Sequence, residues 1–260
     1  MRRLLALSLA MLVVSLPVRA GQPCEERPLA PHEVVLSMDL AQRTVQALDA
    51  SGASVALVSR AGQDLSKYRL RYSHMGIAVR DHPAGRWTVV HELNDCGTAE
   101  SGLYNEGMGN FFLTDLYRHE TQLVIPGPDA QDKLARLFTT RTPVRLHEPR
   151  YNMLSYVYST KYQNSNQWVL ETIAAALAPS GQVETRPEAQ KWLRGIGFQP
   201  PTIEIPAAVR LGARMFRANV AFDDHPFDRR MAGQIDTVST DAVVRMVRMV
   251  DPQARTVTLD

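Results

Sequence analysis

The spacing of apolar residues changes character several times along the chain, and each change predicts an element. From Met38 to Ala50, Leu40, Val45 and Leu48 recur at helical spacing, and Ser51 with Gly52 closes the pattern. Ala53 to Ser59 is a short apolar strand. Tyr72 to Arg80 then alternates, with Met75, Ile77 and Val79 on one face and His74, Gly76 and Ala78 on the other. Asp81 to Arg86 is a turn and Trp87 to Asn94 the return strand, which makes an antiparallel hairpin. Trp87, Val89, His91 and Leu93 share one face of that strand; Thr88, Val90, Glu92 and Asn94 share the other. Cross-strand neighbours lie about 5 Å apart, so His74 meets a residue between His91 and Leu93. A bulge would exchange the two faces, which leaves His91, Glu92 and Asn94 all open as its polar partner.

Downstream, a Gly-rich loop from Gly97 to Gly109 leads into an aromatic stretch at Asn110 to Leu116. Thr121 to Ile125 reads as a strand, Asp129 to Phe138 as an amphipathic helix, and Tyr151 to Tyr158 as aromatic and β-prone. A helix follows from Ser165 to about Leu177, stopped by Pro179 to Gly181. Further helices are expected at Pro187 to Arg194 and Ala207 to Phe216, and strands at Arg217 to Phe222 and Thr256 to Leu259. Thr240 to Val250 fits either type. No stretch is long and polar enough to be a linker. The pattern gives one α+β domain over residues 21–260, with a C-terminal extension over about 181–260.

Residues 1–20 are different in kind. Arg2 and Arg3 precede an apolar run from Leu4 to Leu16, and Val18, Arg19 and Ala20 form a small-x-small exit. This is the pattern of a secretory signal peptide cut after Ala20, and it predicts an exported protein, periplasmic or secreted. No later run reaches membrane-spanning length.

That cleavage changes the charge. The chain carries 29 Lys and Arg against 27 Asp and Glu, and the signal takes Arg2, Arg3 and Arg19 with it, leaving a net charge of −1. Net charge therefore gives no support to nucleic acid or anionic membrane as a partner. The two cysteines, Cys24 and Cys96, are most simply a disulfide in an oxidising compartment.

The candidate chemistry sits just before the helix at Ser165. Gln163, Asn164, Asn166 and Gln167 surround that serine, and Val169, Ile173, Ala176 and Leu177 make the stripe behind it. Ser165 lies four residues before Val169, at the start of the stripe that packs on the sheet. A helix N-terminus offers free N–H groups and partial positive charge, which favour an oxyanion, and Asn164, Asn166 and Gln167 add amide donors. The competing reading is capping, with Asn164 and Gln167 spaced as a capping box.

Tyr72 to Arg80, then Trp87 to Asn94, then Tyr162 to Glu171 in that order resemble the circularly permuted branch of the NlpC-type papain-like superfamily, which includes the lecithin:retinol acyltransferase-like proteins. The resemblance covers about Tyr72 to Leu177 as an order of elements. It implies a papain-like antiparallel sheet packed on the nucleophile helix, with the core at about 35–180. It also implies a general base at His74, a polar partner at His91 and a nucleophile at Ser165. With Ala221 to Pro226 included, the whole chain also resembles an exported bacterial family of unassigned function. The departure is at the nucleophile, where the superfamily carries cysteine and this chain serine. A hydroxyl stays protonated and needs a neutral, oriented histidine to remove its proton.

Elsewhere Asp223, Asp224 and His225 offer metal-ligand chemistry, though an Asx-rich turn before Pro226 accounts for them better. No cofactor or metal is expected. His82 reads as a solvated turn residue, and His119 and His147 lack ligand spacing. Met246 and Met249 read as core, and Tyr104, Tyr151, Tyr156 and Tyr158 as core or groove lining. Two functions follow: a hydrolase or acyltransferase acting on an amide or ester of a cell-wall peptide or lipid, or a non-catalytic module binding a peptide, glycan or partner in the same cleft.

Overall fold

The computed structural model describes residues 28–260. The expected signal segment and Cys24 lie outside the described residues. Helix α1 (Pro31–Ser51) opens ahead of the expected Met38, because Pro31 suits the first turn and the Glu33 carboxylate accepts the Ala30 N–H at 2.7 Å. It ends at Gly52, whose φ of 71° favours glycine. Then come β1 (Val55–Ala61), β2 (His74–His82), β3 (Gly85–Asn94), β4 (Ser101–Gly107), α2 (Met108–Phe112) and β5 (Arg118–Ile125). Helices α3 (Pro128–Leu137), α4 (Thr142–Arg145), α5 (Ser165–Leu177) and α6 (Arg186–Gly195) follow. The chain closes with β6 (Thr202–Glu204), α7 (Ala207–Phe216), α8 (Phe227–Met231), β7 (Gln234–Asp236), α9 (Thr240–Val250) and β8 (Arg255–Leu259).

The fold is α+β, built on a six-stranded sheet in the order β4-β3-β2-β1-β5-β8. Every neighbouring pair is antiparallel. Both faces of the sheet are covered. Leu57, Ile77 and Val124 pack with Trp168, Val169 and Ile173 of α5 and with Val243 and Val247 of α9. On the other face Val58, Ala78 and Val89 pack with Leu40 and Leu48 of α1 and with Phe111 and Phe112 of α2. Two covered faces explain why β1 opens with the continuous apolar run from Val55 to Val58. Each large aliphatic side chain buried this way contributes about 1.5–3 kcal/mol.

Several expectations are corrected. Part of the Gly-rich loop is the edge strand β4, whose half-exposed, polar sequence hides its alternation. Tyr151 to Tyr158 forms turns, touching a strand-like neighbour only through the Tyr151–Gln163 bridge. Aromatic packing and the Tyr158 hydroxyl bond to Phe198 O at 2.6 Å hold it instead. Arg217 to Phe222 is irregular, tied down by the Asn152 side chain, which pairs with both backbone groups of Ala221. The ambiguous Thr240 to Val250 is helix α9, capped by Ser239. Met246 is buried, but Met249 is 48% exposed. Three elements of the C-terminal extension return to the main body, α6 and α9 in its core and β8 beside β5.

Candidate active site

The β2–β3 ladder keeps one register from Ile77–Val90 to His82–Gly85, with no bulge. His74, Gly76, Ala78, Val89 and His91 therefore share a face, and Glu92 and Asn94 point away. Gly76 makes room: a Cβ there would lie 2.5 Å from Val89 Cγ1 and 3.2 Å from His91 Cβ. Across that gap His74 Nε2 meets His91 Nδ1 at 2.8 Å. Phe111 of α2 packs on both rings, with centroids 5.9 and 5.3 Å away. The next ladder pairs Val89 with Glu106 and His91 with Tyr104. Glu106 thus stands on the His91 face, and its Oε2 lies 3.1 Å from His91 Nε2.

The fourth member comes from the start of α5. Asn164 takes the cap position with extended backbone, and its Oδ1 accepts the Gln167 N–H at 2.9 Å. Ser165 is therefore the first helical residue and its hydroxyl is not spent on capping. Its Oγ lies 3.1 Å from His74 Nδ1. The amide donors around it are engaged within the protein. Asn164 donates to Thr237 Oγ1 at 3.1 Å, Gln167 to Val157 O at 3.2 Å, and Asn166 to Ser73 O at 3.3 Å. Gln163 and Gln167 join the buried Glu171–Arg186 pair (2.7 Å), which anchors the helix from inside. Helix α5 is buried from Ser165 to Ala174, so the expected single stripe is instead burial all round. What singles out Ser165 is its hydrogen bond to His74, not its side of the helix.

Charge sets the tautomers. Burial holds His74 well below the usual imidazole range, helped by Arg60 and His91. Burial also lowers His91, against the raising effect of its bond to Glu106. That bond holds the Glu106 carboxyl below its usual range. At neutral pH the carboxylate can only accept, so His91 presents N–H at Nε2 and a lone pair at Nδ1. His74 must then donate from Nε2, which leaves its Nδ1 lone pair facing the Ser165 hydroxyl. One direction of proton movement is built in, from Ser165 to His74.

Ser165 and His74 open onto a cleft of about 220 Å³ lined also by Arg60, Gly62, Ser73 and Tyr151. The Arg60 guanidinium lies 4.7 Å over the Phe111 ring and donates to Phe111 O. Burial lowers its pKa to about 10, so it remains a cation at neutral pH. The Tyr151 phenol lines the cleft beside Ser165, and burial pushes its pKa up, so it stays protonated.

Residues 47–247 match the family model described as "Uncharacterized protein conserved in bacteria (DUF2145)". The chain belongs to the DUF2145 family. No curated protein and no solved structure matches it.

The DUF2145 span contains the whole hydrogen-bonded series, Ser165, His74, His91 and Glu106, together with Arg60 and Tyr151. Glu106 and Arg60 were not singled out by the sequence. Folding a second hairpin about Asp95 to Glu100 would have found Glu106, by the same parity that pairs His74 with His91.

The other candidates lie apart from the Ser165 cleft. Glu92 is fully buried on the opposite face, accepts from Ser101 Oγ at 2.9 Å, and is pushed up to about 8 by burial. Asn94 caps the following turn, donating to Glu100 O at 2.7 Å. Cys96 lies in that turn, and no described cysteine is free. Asp223 pairs with Lys161 at 2.7 Å, while Asp224 accepts the Tyr156 N–H and lies 3.0 Å from His225 Nδ1. Among the described residues no cluster of three or more His, Cys, Asp or Glu is placed to hold a metal ion. No helix among them is long and apolar enough to cross a membrane.

Proposed function

We propose that this DUF2145 member is an exported hydrolase or acyltransferase that acts on an amide or ester carbonyl through Ser165. The hydrogen-bonded series Ser165–His74–His91–Glu106 carries the reading, because its tautomers leave a neutral acceptor nitrogen against the hydroxyl. Ser165 Oγ attacks the carbonyl carbon as His74 Nδ1 takes its proton. Positive charge then spreads toward His91 and is balanced by Glu106. The Tyr151 phenol and the N-terminus of α5 favour the oxyanion. Collapse breaks the bond to the leaving nitrogen or oxygen, which takes the proton from His74 and leaves an acyl-serine. Water or an acceptor alcohol or amine, deprotonated by the same His74, then releases the acyl group.

The order of His74, His91 and Ser165, with a helix N-terminus against the end of a sheet strand, supports a permuted papain-like core. The segment before Ala20 supports export, and the lack of a free described cysteine supports a Cys24–Cys96 disulfide. The substrate class proposed is a cell-wall peptide or a lipid.

A fluorophosphonate probe tests the reaction. The wild-type protein should be labelled at Ser165, and His74→Ala should slow labelling by on the order of 10²–10⁴. No labelling of the folded wild type would overturn the proposal and leave the cleft as a binding site.

A further inference from the structure

Net charge hides a local feature of the C-terminal extension. From Ile205 to Phe222 the chain has no acidic residue and carries Arg210, Arg214 and Arg217. Helix α7 lies in this stretch and buries none of its residues. Its rows are sharply sorted. Arg210 and Arg214, four apart, stand on one side of the helix, and Arg217 follows at its C-cap. Leu211 and Met215 form the adjoining row, 64% and 55% exposed, and Val209 and Phe216 complete the apolar side at 49% and 59%. Only Ala213 of the helix packs inward, against the small cluster of Ile205, Phe222 and Ile235. The Arg210 guanidinium is tied to Ile205 O at 2.6 Å, and Arg214 and Arg217 pair with no carboxylate among the described residues. Nearby, Phe227 and Met231 of α8 are 69% and 61% exposed.

We infer that α7 is an interfacial helix that docks this protein on an anionic phospholipid surface. Large apolar side chains bordered by unpaired arginines fit the boundary between acyl chains and negatively charged headgroups, with the arginine stems reaching up to the phosphates. Charge selects the lipid over a second copy of the chain. A symmetric pairing of α7 with itself would set the same arginines against their duplicates in an apolar contact. The inference stands on α7 alone and does not need Ser165 to react.

Vesicle co-sedimentation tests it, using protein without residues 1–20 so that their apolar run cannot itself bind lipid. Vesicles of phosphatidylcholine with about one third phosphatidylglycerol should bind on the order of 100-fold more tightly than phosphatidylcholine alone, at about fivefold per arginine. Raising the salt to ~0.5 M should remove most of that difference. Leu211→Glu with Met215→Glu should abolish binding, and Arg214→Glu with Arg217→Glu should remove the preference for anionic lipid. Both pairs replace exposed side chains, and unchanged circular dichroism and melting temperature verify the fold. Equal binding to both vesicles, no binding to either, or binding untouched by either pair overturns the inference. So does a concentration-dependent dimer in solution that Leu211→Glu with Met215→Glu dissolves.

Discussion

Glu106→Gln isolates the charge at the far end of the hydrogen-bonded series. Glutamine keeps an oxygen to accept the His91 Nε2–H, so the tautomers survive and one negative charge is lost. The proposed reaction places a positive charge on His74. With one imidazole between hydrogen bonds of 3.1 and 2.8 Å, the carboxylate lies on the order of 8 Å from that charge. At an effective dielectric of about 20, their attraction is ~2 kcal/mol. Glu106 is 26% exposed, so water trims that figure, and labelling of Ser165 should slow by roughly threefold to thirtyfold. The assay is the second-order rate of fluorophosphonate labelling, followed by intact-protein mass spectrometry at pH 7.5 beside a near-ultraviolet circular dichroism check. A Glu106→Gln rate equal to wild type, with His74→Ala slow in the same experiment, would refute the electrostatic reasoning. The base would then work without help from the carboxylate.

Because burial, Arg60 and His91 all hold His74 below the usual imidazole range, labelling should stay flat from pH 8 to about 6.5 and fall only below that. A loss that begins near pH 7 would contradict it. Burial pushes the Glu92 carboxyl up to about 8 from its ordinary 4.5, so its contribution to stability is full below 4.5 and is lost as pH rises through 8. The melting temperature should therefore drop between about pH 4.5 and 8, and the drop should shrink in Glu92→Gln. The ceiling on this effect is about 5 kcal/mol. Gly76→Ala puts a Cβ 2.5 Å from Val89 Cγ1, and should cost about 1–3 kcal/mol by chemical denaturation while slowing Ser165 labelling through a displaced His91.

The hairpin and the helix at Ser165 were legible because their signals are local. Alternation gave the faces of β2 and β3, and a two-residue period needs only the absence of a bulge to set His74 beside His91. Glu106 was hidden because its strand lies at an edge, where half-exposed positions weaken the alternation and Gly102 and Gly107 resemble a loop. Tyr151 was visible as a groove candidate, but its contact with Ser165 depends on an irregular turn held by bonds such as Asn152 N–H to Gln163 O (2.9 Å), which no periodicity encodes. The amides around Ser165 misled in the opposite sense. Asn164, Asn166 and Gln167 read as donors for a substrate, yet each donates within the protein, to Thr237 Oγ1, Ser73 O and Val157 O. Arg60 reads as an ordinary strand residue until its register partner His74 is known.

For the proposed reaction, the distribution of charge suits a serine at this helix N-terminus better than it would suit a cysteine. A thiol works best as a thiolate beside a protonated imidazole, which requires a histidine that holds its proton at rest. Here burial and the Arg60 cation oppose a resting proton on His74, so the ground state suits a neutral base facing an un-ionised hydroxyl. In the proposed reaction the charge pair forms only as the proton moves to His74. Glu106 then balances the imidazolium end through His91, while Arg60, lining the cleft, favours negative charge at the carbonyl end. The same cation that lowers the resting basicity of His74 thus acts on both ends of the developing pair with opposite signs, and its net effect on the barrier is smaller than either alone. Replacement of Arg60 by methionine should raise the pH at which labelling falls while changing the plateau rate far less. A plateau that collapses with no shift of the acid limb would mean that Arg60 serves the oxyanion alone.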